Sequence, residues 1–130
     1  MATRGERLTQ LANHLENVVT DEQFDMNTFV SGGEDYNEAF KNLRQHKCGT
    51  TGCIAGHAIA LFDVGYVNSI WLGQHAGALL GLSMREHAEL FTDYKLTRFT
   101  AAEELRRLAA IDPDKYIEDN LETWRSAIND

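Results

Sequence analysis

Apolar residues recur along this chain at helical spacing, and no stretch alternates at period two over the length of an ordinary strand. Leu8, Leu11, Ala12, Leu15, Val18 and Val19 follow the i, i+3, i+4, i+7 rule, while Arg7, Gln10, Glu16 and Asn17 fall outside that stripe. The spacing predicts a helix from about Thr3 to Val19. Pro113 is the single proline, so little interrupts further helices. The expectation is an all-α fold, one compact domain over residues 1–130 with about six helices. A chain of 130 residues with 43% hydrophobic content can bury a core without staples.

The remaining elements follow from punctuation. Ser31-Gly32-Gly33 marks a loop, and a short helix fits Tyr36 to Leu43. The next helix is expected to start at a capping Thr50 or Thr51 and run to Phe62. On it Gly52, Gly56 and Ala60 would share one face, a smooth strip for a close helix neighbour. Each glycine inside a helix costs roughly 1 kcal/mol relative to alanine, so tight packing must offset it. Ser69 to Leu80 reads as a helix ended by Gly81. Ser83 and Glu86 match a capping box that opens a helix to Phe91. Thr100 and Glu103 match a second, opening a helix with Leu105, Leu108, Ala109 and Ile111. Asp112-Pro113 looks like a cap followed by proline at the first helical position. A last helix would present Ile117, Leu121, Trp124 and Ile128. Tyr94 to Phe99 is the one weak strand candidate.

The net charge is −8, spread evenly along the chain, with no basic tail or stripe. Direct nucleic-acid binding requires phosphate neutralisation and is not expected. No apolar run is long enough to span a bilayer, and MATRGERLTQ lacks the apolar core of a signal peptide, so the expected location is cytoplasmic. Two cysteines in such a chain are more often buried thiols than a disulfide.

The order FDMNTF, CGTTGCIAGHA, LLGLSMREHAELF and TAAEELRRL resembles a widespread group of small bacterial and phage proteins, over about Phe24 to Leu108. The group's pattern is roughly FDM, CGTxxCIAGxA, LGL and a Thr/Ala-led helix. The resemblance implies an accessory gene of phage or mobile-element type and brings no activity with it. Many members carry tryptophan at the position of His57, which argues against an essential chemical role for that histidine.

Two functional readings follow. The leading one is a non-enzymatic protein-interaction module, a modulator of a host protein, needing no cofactor. Its expected contact surface is the acidic stretch with Asp21, Asp25, Glu34, Asp35 and Glu38; between Asp21 and Glu38 stand six acids and no base. These acids lack the residue order of an EF-hand, so calcium is not expected. A homodimer through an exposed apolar stripe is a further option. The alternative is a small zinc-binding protein or cysteine-dependent enzyme. His46, Cys48, Cys53 and His57 supply four borderline-to-soft ligands within twelve residues, although the spacing matches no standard finger. Cys48, placed before a helix N-terminus, would be the nucleophile, with His46, His57, His75 or His87 as base. His75 and His87 otherwise read as surface or boundary residues, and Trp71 and Trp124 as core or interface anchors. GTTGCIAG lacks the Lys-Ser/Thr of a P-loop and a preceding apolar strand, which argues against nucleotide binding.

Overall fold

The computed structural model describes residues 2–62 and 72–117. Within them the fold is all-α: α1 (Arg4–Asn17), α2 (Tyr36–Arg44), α3 (Ile54–Phe62), α4 (Leu72–Leu79), α5 (Met84–Phe91) and α6 (Arg98–Ala109). α1 begins where Thr3 accepts a hydrogen bond from the Glu6 N–H, and it buries Leu8, Leu11, Ala12 and Leu15. That stripe packs against α6, which supplies Ala101, Ala102, Leu105 and Leu108. The apolar α3 is buried from Ile54 to Ala60, with α2 and α4 against it. α5 opens with the expected reciprocal Ser83–Glu86 box. Gly81 ends the α4 turn with φ 70°, a left-handed conformation that favours glycine.

Four expectations are corrected. A two-stranded antiparallel ladder, β1 (Val30–Ser31) with β2 (Thr51–Gly52), occupies positions read as loop and helix start. α3 therefore starts at Ile54. Neither Thr50 nor Thr51 adjoins that start, and the Thr50 hydroxyl instead donates to the Lys47 carbonyl at 2.6 Å. Second, Gly52 belongs to β2, and the nearest neighbour at both Gly52 and Gly56 is the Phe29 backbone rather than a helix backbone. A β-carbon at Gly52 would stand 2.8 Å from the Phe29 carbonyl oxygen, and one at Gly56 would overlap that oxygen. Third, α6 starts at Arg98, not at Thr100. Thr97 is its cap and Thr100 the third helical residue, each hydroxyl bonding the other's backbone N–H. Residues 94–97 accordingly form a turn and a cap, not a strand.

Fourth, Asp112-Pro113 opens no helix at residue 113. Asp112 has φ 48°, and the Lys115 N–H bonds back to its carbonyl in a turn. The segment then lies across the start of α1. Arg4 and Gly5 donate their N–H groups to the Lys115 and Pro113 carbonyls at 2.8 and 2.9 Å. This satisfies N–H groups that a helix start leaves without partners. Ile117 is buried; the rest of the expected last helix, with Leu121, Trp124 and Ile128, lies outside the described residues, as does Trp71.

Arg4 binds these ends together. It is 3% exposed and uses all five guanidinium N–H groups: on the Ile111, Gly81 and Leu108 carbonyls, and in a fork to both Glu86 oxygens at 2.6 Å. The Arg4 hydrogen bonds are the main reason that Glu86 titrates at about 2.

Candidate functional site

Between the Met26–Phe29 loop, α4 and α5 lies a cleft of about 340 Å³. The loop is held by its own polar groups: Asp25 accepts from the Asn27 N–H at 2.9 Å, and Cys53 donates its N–H to the Thr28 carbonyl at 2.8 Å. With the Phe29 carbonyl pressed on Gly56, the backbone is anchored while the Phe29 side chain turns outward, 41% exposed. Across the cleft, α5 contributes Ala88 and Phe91, and Tyr94 stands 60% exposed just beyond the helix. The lining is mainly apolar, with Met26 and Phe91 buried and two aromatic side chains exposed at the rim.

Cys53 also lines this cleft and is buried. The N–H groups of Gly56 and Ala55, at the start of α3, reach its sulfur, yet burial dominates and pushes the thiol up. It is therefore a protonated thiol at neutral pH, a weak nucleophile. Cys48, expected as the nucleophile, is exposed in the α2–α3 connection, and both thiols are free. His87 lines the cleft and rests against Gly77 of α4. His75, expected near the surface, is buried within α4.

The four residues of the proposed metal set are divided. His57 is 1% exposed, and its Nε2 lies 2.6 Å from the Gln23 carbonyl, to which it donates. His46 adopts φ 55° where α2 unwinds, with the His46 and Lys47 N–H groups returning to Leu43 and Asn42. Its ring meets a residue the sequence reading missed: His14 of α1, with ring centroids 5.3 Å apart. His14 is in turn 6.3 Å from His57, and Phe24 stacks on His57 at 6.1 Å. The structure thus gathers His14, His46 and His57, with the His46 Nδ1 buried and lacking a hydrogen-bond partner. Among the described residues no three His, Cys, Asp or Glu side chains stand in an arrangement that could hold a metal ion. Burial pushes His57 down to about 4, with smaller contributions from its two histidine neighbours. His14 is lowered for the same reasons, burial first and then His46. The signal for His14 was its place beside Leu15 at the edge of the buried α1 stripe.

Of the acidic residues, Asp21 pairs with Arg98 at 2.7 Å, Asp25 orders the cleft loop, and Asp35 caps α2 through the Glu38 N–H. Glu34 and Glu38 are exposed. The larger groove between α5 and α6, about 440 Å³, is walled by ions that pair locally, Arg85 with Glu89 and Arg107 with Glu104. No described helix is long and apolar enough to cross a membrane. Compared with family models, with curated proteins and with solved structures, the chain matches none.

Proposed function

We propose that the chain is a non-enzymatic protein-interaction module that seats an apolar side chain of a basic partner segment in the Met26–Phe91 cleft. The observation that carries this reading is the pair of exposed aromatics, Phe29 and Tyr94, over a mainly apolar cavity. Such aromatic rims supply large, stiff contact area at low entropic cost. The cavity, about 340 Å³, has room for one or two large side chains. The partner's charge follows from the net charge of −8, which steers basic segments toward the protein. Glu34 and Glu38 remain exposed to meet them, whereas Asp21, Asp25 and Asp35 serve the fold. The resemblance to small bacterial and phage proteins supports a host protein as that partner.

Selection from a displayed random-peptide library tests the proposal. Enriched peptides should carry a large apolar residue flanked by lysine or arginine. Their affinity should fall at least tenfold in Phe29→Asp, whose circular dichroism stays unchanged because the Phe29 backbone, not its ring, carries the packing. Glu34→Lys with Glu38→Lys should weaken binding chiefly at low salt. Peptides that bind Phe29→Asp and wild type equally would place the docking surface elsewhere.

A further inference from the structure

Aromatic rings, sulfur-bearing side chains and three idle polar groups converge on the cleft. Phe29 on the loop and Tyr94 beyond α5 are exposed at its rim, and among the described residues neither ring is in contact with another ring. Met26, Cys53 and Phe91 line it further in and are buried. α4 meets the same space with Gly73, where among the described residues a β-carbon would have only the tip of the Phe29 ring nearby, at 4.0 Å. The Asn27 amide, the His87 ring and the Tyr94 hydroxyl belong to the lining too, and none of them makes a side-chain hydrogen bond to a described residue. A mainly apolar cavity with a few convergent polar groups is the usual build of a selective site. We infer that the anchor selected by the cleft is an aromatic side chain with a hydrogen-bonding edge, tryptophan or tyrosine, carried on a basic partner segment. This rests on the reading of the cleft as the docking site and names what that site takes.

Each feature disfavours another occupant. A flat ring entering between Phe29 and Tyr94 gains aromatic contacts, and Met26 and Cys53 offer it sulfur, which an aliphatic side chain uses less well. Gly73 leaves room for such a ring beside the α4 backbone. Among the described residues no Asp or Glu lines the cleft, so a lysine or arginine head would lose its water there without a counter-ion. Leucine or phenylalanine suits the apolar walls but would cover the Asn27, His87 and Tyr94 groups without pairing them, whereas an indole N–H or a phenol O–H supplies a partner. A site holding such groups rejects an analogue that lacks the matching donor more strongly than it separates apolar shapes. Charge assigns the flanks. The Met26–Phe29 wall lies within Asp21 to Glu38, a stretch of six acids and no base, so the residues beside the anchor are lysine or arginine and stay outside the cavity.

Single-residue amides test the anchor apart from any partner. N-acetyl-tryptophanamide and its tyrosine, phenylalanine and leucine counterparts are titrated into the full chain at millimolar concentration while the Met26 and Ala88 methyl resonances are followed. The tryptophan and tyrosine amides should shift both methyls, binding at least tenfold more tightly than leucine amide and at least threefold more tightly than phenylalanine amide. Tyr94→Phe, Asn27→Ala and His87→Phe each remove one polar group from the lining, and at least one of them should bring tryptophan and phenylalanine amides level. Leucine amide binding as well as tryptophan amide, or a preference for tryptophan over phenylalanine that all three variants leave intact, overturns the inference. Should His87→Phe fail to fold, the ring nitrogen resonances of wild-type His87 replace it: they should move with tryptophan amide and stay still with phenylalanine amide. Still resonances, together with no effect of Tyr94→Phe and Asn27→Ala, overturn the inference equally. Phe29→Asp separates the two ideas. Library peptides that need Phe29 but carry leucine anchors would leave docking in place and sink the aromatic anchor, whereas peptides indifferent to Phe29→Asp would sink both.

Discussion

The Phe29 carbonyl oxygen occupies the position that a β-carbon on Gly56 would take. A loop backbone thus packs directly on a helix backbone, and a glycine in mid-helix is the condition for it. Gly56→Ala, which on an exposed helix would stabilise by about 1 kcal/mol, should here cost about 2–3 kcal/mol by overpacking. Gly73 in α4 is the control, since among the described residues a β-carbon there would meet only the tip of the Phe29 ring at 4.0 Å. Gly73→Ala should be neutral to stabilising by up to about 1 kcal/mol. Urea midpoints of the two variants give the comparison, and similar values for both would contradict the packing.

Acid should destabilise the protein in two separate windows. His57 is held at about 4, below its ordinary value of 6.5. In between, the unfolded chain binds a proton that the fold refuses, so stability is full above about 6.5 and declines as pH falls toward 4. The full shift corresponds to about 3 kcal/mol. Glu86, held at about 2, has the same sign in a lower window: its contribution is complete above 4.5 and lost toward 2. His57→Gln should shrink the upper window to what His14 contributes and leave the lower one unchanged. Glu86→Gln should remove the lower one and cost about 3 kcal/mol at neutral pH, because it unpairs the buried Arg4. Denaturant titrations from pH 3 to 8 measure both.

Thr97→Ala should cost about 1 kcal/mol by removing the α6 cap. If the helix instead began after Thr100, Thr97→Ala would be silent in thermal melts.

The two thiols should differ sharply toward iodoacetamide. Cys48 is exposed, whereas Cys53 is buried and its thiol pushed up. Intact mass should show one adduct on the native protein and two in denaturant. Rapid double labelling of the native chain would mean that the cleft opens readily to Cys53.

Periodicity exposed α1, and the Ser83–Glu86 pair exposed α5, because each writes its physics within one or two helical turns. The ladder was hidden for the opposite reason. Val30–Ser31 and Thr51–Gly52 are two residues each, too short to show alternation, and they pair only because the Gly52 and Gly56 backbones lie against Phe29. The Thr97–Thr100 box escaped because its third helical residue is threonine rather than Glu or Gln. Within the candidate site, CGTTGCIAGHA drew notice to Cys53 and His57. Nothing local links them to His14, Phe29 or Tyr94, which only tertiary packing brings near. The carboxylates misled by their number: three of five turned out to cap, pair or order the fold.

The bond from Arg4 to the Ile111 carbonyl spans 107 residues. On a ribosome making about 5–20 residues per second, Arg4 waits about 5–20 s for that acceptor. Over the same interval Leu8, Leu11 and Leu15 of α1 have no α6 to cover them. Native α1 contacts are therefore among the last to be completed, although α1 is the first helix made. The nascent chain carries an exposed leucine stripe through most of its synthesis, a natural handhold for chaperones and the segment whose mutation should most affect yield in the cell.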